Sequence, residues 1–103
     1  MKIVVIGDRY TVSGLRLAGV GEGYTVDTSK EAIAIVSQIM KREDVSLVFL
    51  DRQFSEHVRE ILPVAYERSK PLIVDIPTME EGGRDYTHEL LRRTIGVDLG
   101  GRG

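Results

Sequence analysis

The sequence predicts an α/β fold, a four-stranded parallel sheet flanked by helices, and three observations predict it. First, apolar residues gather in continuous runs: IVVI at 3 to 6, VSLVFL at 45 to 50 and LIVDI at 72 to 76. Runs without strict alternation suit strands buried on both faces. Second, segments with helical periodicity separate the runs, so strand and helix alternate as in a sheet built with crossover helices. Third, 103 residues, 42% of them hydrophobic and 29% charged, form one core but not two. A chain of this size buries about 60–65% of its extended surface.

The elements follow in order. IVVI delivers the chain into Gly7-Asp8-Arg9, and a helix is expected over 11 to 18, with GVGEG at 19 to 23 as its stop and turn. Tyr24-Thr25-Val26 lies between Gly23 and Asp27, a short strand suited to a sheet edge. Thr28 and Glu31 have capping-box spacing, in which the threonine hydroxyl accepts from the Glu31 amide and the glutamate reaches back. Such a cap contributes about 0.5–2 kcal/mol. Ala32, Ile33, Val36, Ile39 and Met40 continue with helical period, and Lys41-Arg42 are expected in the last turn, where the macrodipole favours cations.

A further helix is expected from about Phe54 to Glu67 on Val58, Ile61, Leu62 and Ala65. Pro63 inside it predicts a kink or break, since proline removes one helical hydrogen bond and clashes with the preceding turn. Right-handed crossovers then favour strand order 2-1-3-4, a flavodoxin-like, receiver-like sheet. Beyond the fourth strand TMEEGGRDY is polar and glycine-rich, followed by a helix over Tyr86 to Ile95 with Asp85 as N-cap and Gly96 beyond its end. The expected organisation is therefore an α/β domain over 1–78, a flexible linker over 79–85, and a tethered C-terminal helix with its tail over 86–103.

Composition narrows function. A formal charge of −2 gives no electrostatic footprint for nucleic acid. The absence of cysteine removes disulfides, thiol catalysis and thiolate-bound zinc. One Lys and four apolar residues at the start are too short for a signal peptide, and no apolar run approaches membrane-spanning length, so a cytoplasmic location is expected.

In an open parallel sheet, ligands sit beyond the carboxyl ends of the strands. That edge carries Asp8-Arg9, Asp51-Arg52 and Thr78. A phosphorylation receiver would need clustered acids for Mg²⁺ after strand one, an acceptor Asp after strand three, a hydroxyl after strand four and a Lys after strand five. Asp51 and Thr78 match; Arg9 stands where a second acid is needed, and Lys70-Pro71 enters strand four at the opposite edge. The preferred reading is that Asp8 and Asp51 cap the helices after them while Arg9 and Arg52 balance their charge. Phosphorylation of Asp51 in a regulatory domain is the alternative.

Gly7 and Gly14 fit neither dinucleotide nor P-loop spacing. His57 and Glu60 share a helix face and His88 is far away, which does not assemble a zinc site. No serine stands in a nucleophile elbow. No catalytic residue, cofactor site or metal site is therefore assigned. In DYTHELLRRTIGVDL, Leu90, Leu91, Thr94 and Ile95 form one stripe, with His88, Glu89, Arg92 and Arg93 mostly on the other faces. Such a helix either packs back on the sheet or lies in a partner's groove or coiled coil. The residues alone leave both open.

KIVVIGDR, TVSGLRLAGV, VSLVFL, KPLIVDIP and the closing LLRRTIGVDL together resemble the F subunit of the V-type/A-type ATP synthases, the rotary ATPases of archaea and some bacteria. The likeness spans nearly the whole chain. It implies a receiver-like domain, a mobile C-terminal helix, and no catalytic site or cofactor. It implies a place in the central stalk on the coiled coil of the D subunit, near the C subunit of the stalk and the A3B3 head, coupling ATP turnover to proton or sodium movement. Contact with the membrane would then be indirect, through the complex. The expected partner-binding residues are Leu90, Leu91 and Ile95 as apolar anchors and Arg92 and Arg93 fixing register on an acidic stripe. Ile76 and Pro77, within the stretch from Pro71 to Thr78, would form a second contact.

Overall fold

The structure, a computed structural model, describes residues 1–78. Strands β1 (Lys2–Gly7), β2 (Glu22–Thr25), β3 (Val45–Asp51) and β4 (Leu72–Ile76) form one sheet of order β2-β1-β3-β4, parallel throughout, as predicted. Between them stand α1 (Arg9–Leu17), α2 (Ser29–Ile39), α3 (Arg52–Ile61) and α4 (Pro63–Glu67). The linker and helix expected beyond Thr78 lie outside the described residues.

The continuous apolar runs divide between two apolar clusters, one on each face of the sheet, where the chain length alone had suggested a single core, because helices cover both faces. Val4, Ile6, Val48 and Leu50 meet Val36 and Ile39 of α2 and Phe54 and Val58 of α3 on one face. Val5, Phe49 and Ile76 meet Val12 and Leu15 of α1 on the other. Successive strand residues point to opposite faces, so a sheet covered on both sides needs apolar residues at every position. Registers such as Val5↔Phe49↔Val74 align these rows across three strands.

α1 begins at Arg9, two residues before the expected start, because Asp8 is its N-cap and accepts from the Thr11 amide at 2.8 Å. It ends in a Schellman arrangement: the Gly19 amide donates to Arg16 O (3.1 Å) and the Val20 amide to Leu15 O (3.0 Å). Gly19 takes φ 117°, a conformation that favours glycine. Only the first part of GVGEG is the turn; Glu22 and Gly23 already belong to β2. A Cβ at position 23 would come 2.8 Å from Val12 Cγ1, so glycine lets β2 pass beneath α1.

The capping box of α2 forms, with the Glu31 amide donating to Thr28 Oγ1 at 3.1 Å. Glu31 reaches one residue further back than expected, accepting from the Asp27 amide at 2.7 Å. The far end differs from expectation. α2 closes at Ile39, no basic residue lies in its last turn, and Arg42 turns away toward Glu22 and Asp44. Arg68 instead supplies the cation, donating to the terminal Met40 carbonyl at 3.0 Å.

Pro63 breaks the third helical segment as predicted. Leu62 leaves helical geometry (φ −126°, ψ 63°), and the proline opens α4, where its missing amide proton costs nothing. The pair is tied to β4 through Asp75, which accepts from Arg59 (2.8 Å) and from the Tyr66 hydroxyl (3.0 Å). Burial, with Asp75 beside it, pushes the Tyr66 phenol well above its ordinary range.

Candidate functional site

The carboxyl edge of the sheet gathers its polar residues around one carboxylate. Asp51 ends β3, caps α3 and has no solvent exposure. Its Oδ1 accepts from the Gln53 amide (3.1 Å) and the Thr78 hydroxyl (2.7 Å). Its Oδ2 accepts from the Asp8 amide (3.2 Å), the Thr11 hydroxyl (3.3 Å) and Gln53 Nε2 (3.0 Å). Five donors from β1's exit, α1, α3 and β4's exit thus converge on a buried anion, which satisfies a group that would otherwise be very costly to bury. Gln53 Nε2 also reaches Asp8 Oδ2 at 3.1 Å, linking the two aspartates. Gly7 makes the approach possible, since a Cβ there would sit 2.9 Å from Asp51 Cβ.

The cap assignments of Asp8 and Asp51 therefore hold, and Thr78 joins them. The charge-balancing part does not: among the described residues neither Arg9 nor Arg52 forms an ion pair with either aspartate. Neutral donors do the work, and Arg9 lies over the Tyr10 ring at 5.5 Å. Gln53 was missed in the sequence; its signal is its place two residues after a capping aspartate, where side chain and backbone both face the cap. Thr11, three residues after Asp8, likewise reads in the sequence only as the start of a helix.

This arrangement has the form of an anchor. Phosphoryl transfer to Asp51 needs a carboxylate oxygen open to a donor, and both oxygens are enclosed by hydrogen-bond partners. Among the described residues no group of three or more His, Asp or Glu side chains is placed to hold a metal ion. His57 meets Ser29 Oγ at 3.4 Å on the surface.

The opposite edge carries a charged cluster. Arg42 grips Glu22 (2.6 and 3.2 Å) and Asp44 (2.9 and 2.8 Å), with Lys2 at 3.9 and 3.7 Å from the same acids. The guanidinium holds Asp44 down to about 2 and lowers Glu22; Glu22 in turn raises the Tyr24 phenol, which donates to it at 2.5 Å. These ions fasten the starts of β1, β2 and β3 to one another.

Of the expected partner-binding residues, Ile76 is fully buried beneath α1 and Pro77 is half-buried at the exit of β4. Leu90, Leu91, Arg92, Arg93 and Ile95 lie outside the described residues. Among the described residues no helix is long and apolar enough to cross a membrane.

A family model described as ATP synthase (F/14-kDa) subunit matches residues 3–94. The chain is 40% identical over 105 aligned positions to the A-type ATP synthase F subunit of Thermococcus sibiricus, covering 96% of this chain and 98% of the relative. It is 35% identical to the corresponding protein of Methanothermobacter thermautotrophicus, with 94% of each chain covered. In three dimensions it is similar to the crystal structure of the V-type ATP synthase F subunit from Archaeoglobus fulgidus, with a TM-score of 0.60 and 25% identity over 73% of this chain and 95% of that one.

Proposed function

This chain belongs to the ATP synthase (F/14-kDa) subunit family, and from that premise we propose that it is a non-catalytic rotor component that binds the coiled-coil D subunit of the central stalk. Membership in an A/V-type ATP synthase follows from a match reaching from β1 to residue 94, and the other subunits of that complex are its partners. The F subunit is a stalk component without an active site of its own. The observation that supports a non-catalytic role is the enclosure of Asp51 by five donors, which occupies the edge where a receiver-like sheet would carry its chemistry.

A rotor part transmits torque through an interface that must not slip. Apolar anchors set in a desolvated centre give affinity, and flanking charges give register. Leu90, Leu91 and Ile95 have the spacing of such anchors, and Arg92 and Arg93 suit an acidic stripe on the D subunit. Pro77 adds contact surface at the exit of β4, and buried Ile76 acts by holding that exit in place. A stable contact of this kind buries about 1,200–2,000 Å² in total. Torque carried through it couples ATP turnover in the A3B3 head to proton or sodium movement, with this chain on the cytoplasmic side, beside the C subunit of the stalk and peripheral to the membrane.

The test is Leu91→Asp in the full-length chain. The variant should retain the thermal midpoint of the parent and lose at least about 30-fold in affinity for the D subunit, the size of a hot-spot truncation. Unchanged affinity would remove Leu91 from the interface.

A further inference from the structure

The outer face of α1 is built for a partner that the sites above do not use. Six large hydrophobic side chains of the described residues are exposed, and two, Tyr10 (57%) and Leu17 (74%), stand seven residues apart on this one helix. That spacing puts them on one stripe, about 10 Å apart along the axis. Gly14, half-buried between them, lowers the middle of the stripe, and a shallow depression of about 510 Å³ opens beside it along Val12, Ser13, Arg16 and Leu17. Large residues flanking a small one at heptad spacing form the hole into which a second helix sets a side chain.

Charge selects the kind of helix. The whole chain is net negative, yet α1 has two arginines and no acid. Neither Arg9 nor Arg16 forms an ion pair among the described residues, whereas Arg42 and Arg59 do. Arg9 lies over the Tyr10 ring, which sets cation and aromatic side by side. Tyrosine and arginine exposed together around a small-residue gap is the composition of an interface centre.

We propose that Tyr10, Gly14 and Leu17, flanked by Arg9 and Arg16, dock an amphipathic helix with an acidic margin from another member of the ATP synthase complex. The inference rests on membership in that complex but not on the role of residues 86–95. Two helical turns are too small for a stable interface on their own. The contact therefore works as a second foothold, strengthened by the effective concentration that the assembled stalk provides. It would fix the rotational setting of this chain in the stalk.

The experiment is site-specific photo-cross-linking in the assembled complex, with a benzophenone side chain at position 10, 17 or, separately, 91. Positions 10 and 17 should both cross-link to one Asp/Glu-rich helical segment of another protein of the complex. Arg16→Glu should lower the thermal midpoint by only a few degrees, since it reverses a charge in the last turn of α1, yet weaken incorporation about ten-fold and flatten its salt dependence. The inference is overturned if positions 10 and 17 cross-link to nothing, only to their own chain, or to a segment without acidic residues. It is also overturned if Arg16→Glu incorporates like the parent. Position 91 reports separately on the contact with the D subunit, and failure of the unsubstituted chain to join the complex would count against the stalk reading itself.

Discussion

Replacing Asp51 by Asn tests whether the buried carboxylate is an anchor or a reserve for chemistry. The side chain keeps its shape and loses its charge, and one acceptor oxygen becomes an NH₂ donor. Placed at Oδ2, that group would face the Asp8 amide and the Gln53 side-chain amide as well as Thr11. Placed at Oδ1, it faces the Gln53 backbone amide and the Thr78 hydroxyl. Hydroxyls can turn to accept, so the second orientation costs less, with one backbone N–H at the start of α3 left unpaired. A buried unsatisfied donor costs about 1–3 kcal/mol, and the surviving bonds fall from charge-assisted to neutral strength. Relief of the buried charge offsets part of this. The net expectation is a loss of about 2–3 kcal/mol, or about 10–20 °C in Tm for a domain of this size. Urea and thermal unfolding of parent and variant read it directly. A variant as stable as the parent, or more so, would overturn the anchor assignment. It would mean that the carboxylate is kept at a stability cost, as reactive groups are, and labelling of Asp51 by an acyl phosphate would become the next question.

Two further outcomes follow from the same geometry. Gly7→Ala should destabilise by about 1–3 kcal/mol, because the new methyl lies 2.9 Å from Asp51 Cβ and must push the anchor off α1; a lowered urea midpoint at constant m-value checks it. The Arg42 cluster gives an acid limb: Asp44 and Glu22 have depressed folded-state pKa values, so their stabilisation is complete above the ordinary carboxylate range and is lost as pH falls from about 4 to about 2, where the unfolded chain binds more protons. Arg42→Met should flatten that part of the stability–pH curve, and added salt should flatten it too, because the cluster is exposed.

Much of the fold could be read from residue patterns. The three continuous runs gave strands with two buried faces, and Thr28 and Pro63 marked an N-cap and a break that the structure contains. Misplaced details share a cause: they depend on neighbours far along the chain. Arg42 reads as a helix-end cation until β2 brings Glu22 within 2.6 Å, and its role at α2 passes to Arg68, just beyond α4. Gly23 reads as a turn until α1 is laid over it. At the carboxyl edge the two capping aspartates were legible because a cap needs only a residue and the amides just after it. That Asp51 is one hub for both caps and for Thr78 was not, since the contacts with Asp8, Thr11 and Thr78 span 27 to 43 residues. The arginines beside the aspartates suggested charge balance by adjacency alone, and the folded chain uses Gln53 and hydroxyls instead.

If the proposed grip on the coiled coil lies beyond the α/β domain, removing the residues after Gly83 should abolish it. Calorimetric titration of the D subunit with the full-length chain, and with a chain ending at Gly83, measures this. One-to-one binding is expected for the full chain, with collapse on truncation and a thermal midpoint for residues 1–83 near that of the parent. Equal affinity for the two forms would move the grip onto the α/β domain and contradict the assignment of Leu90, Leu91 and Ile95 as its anchors.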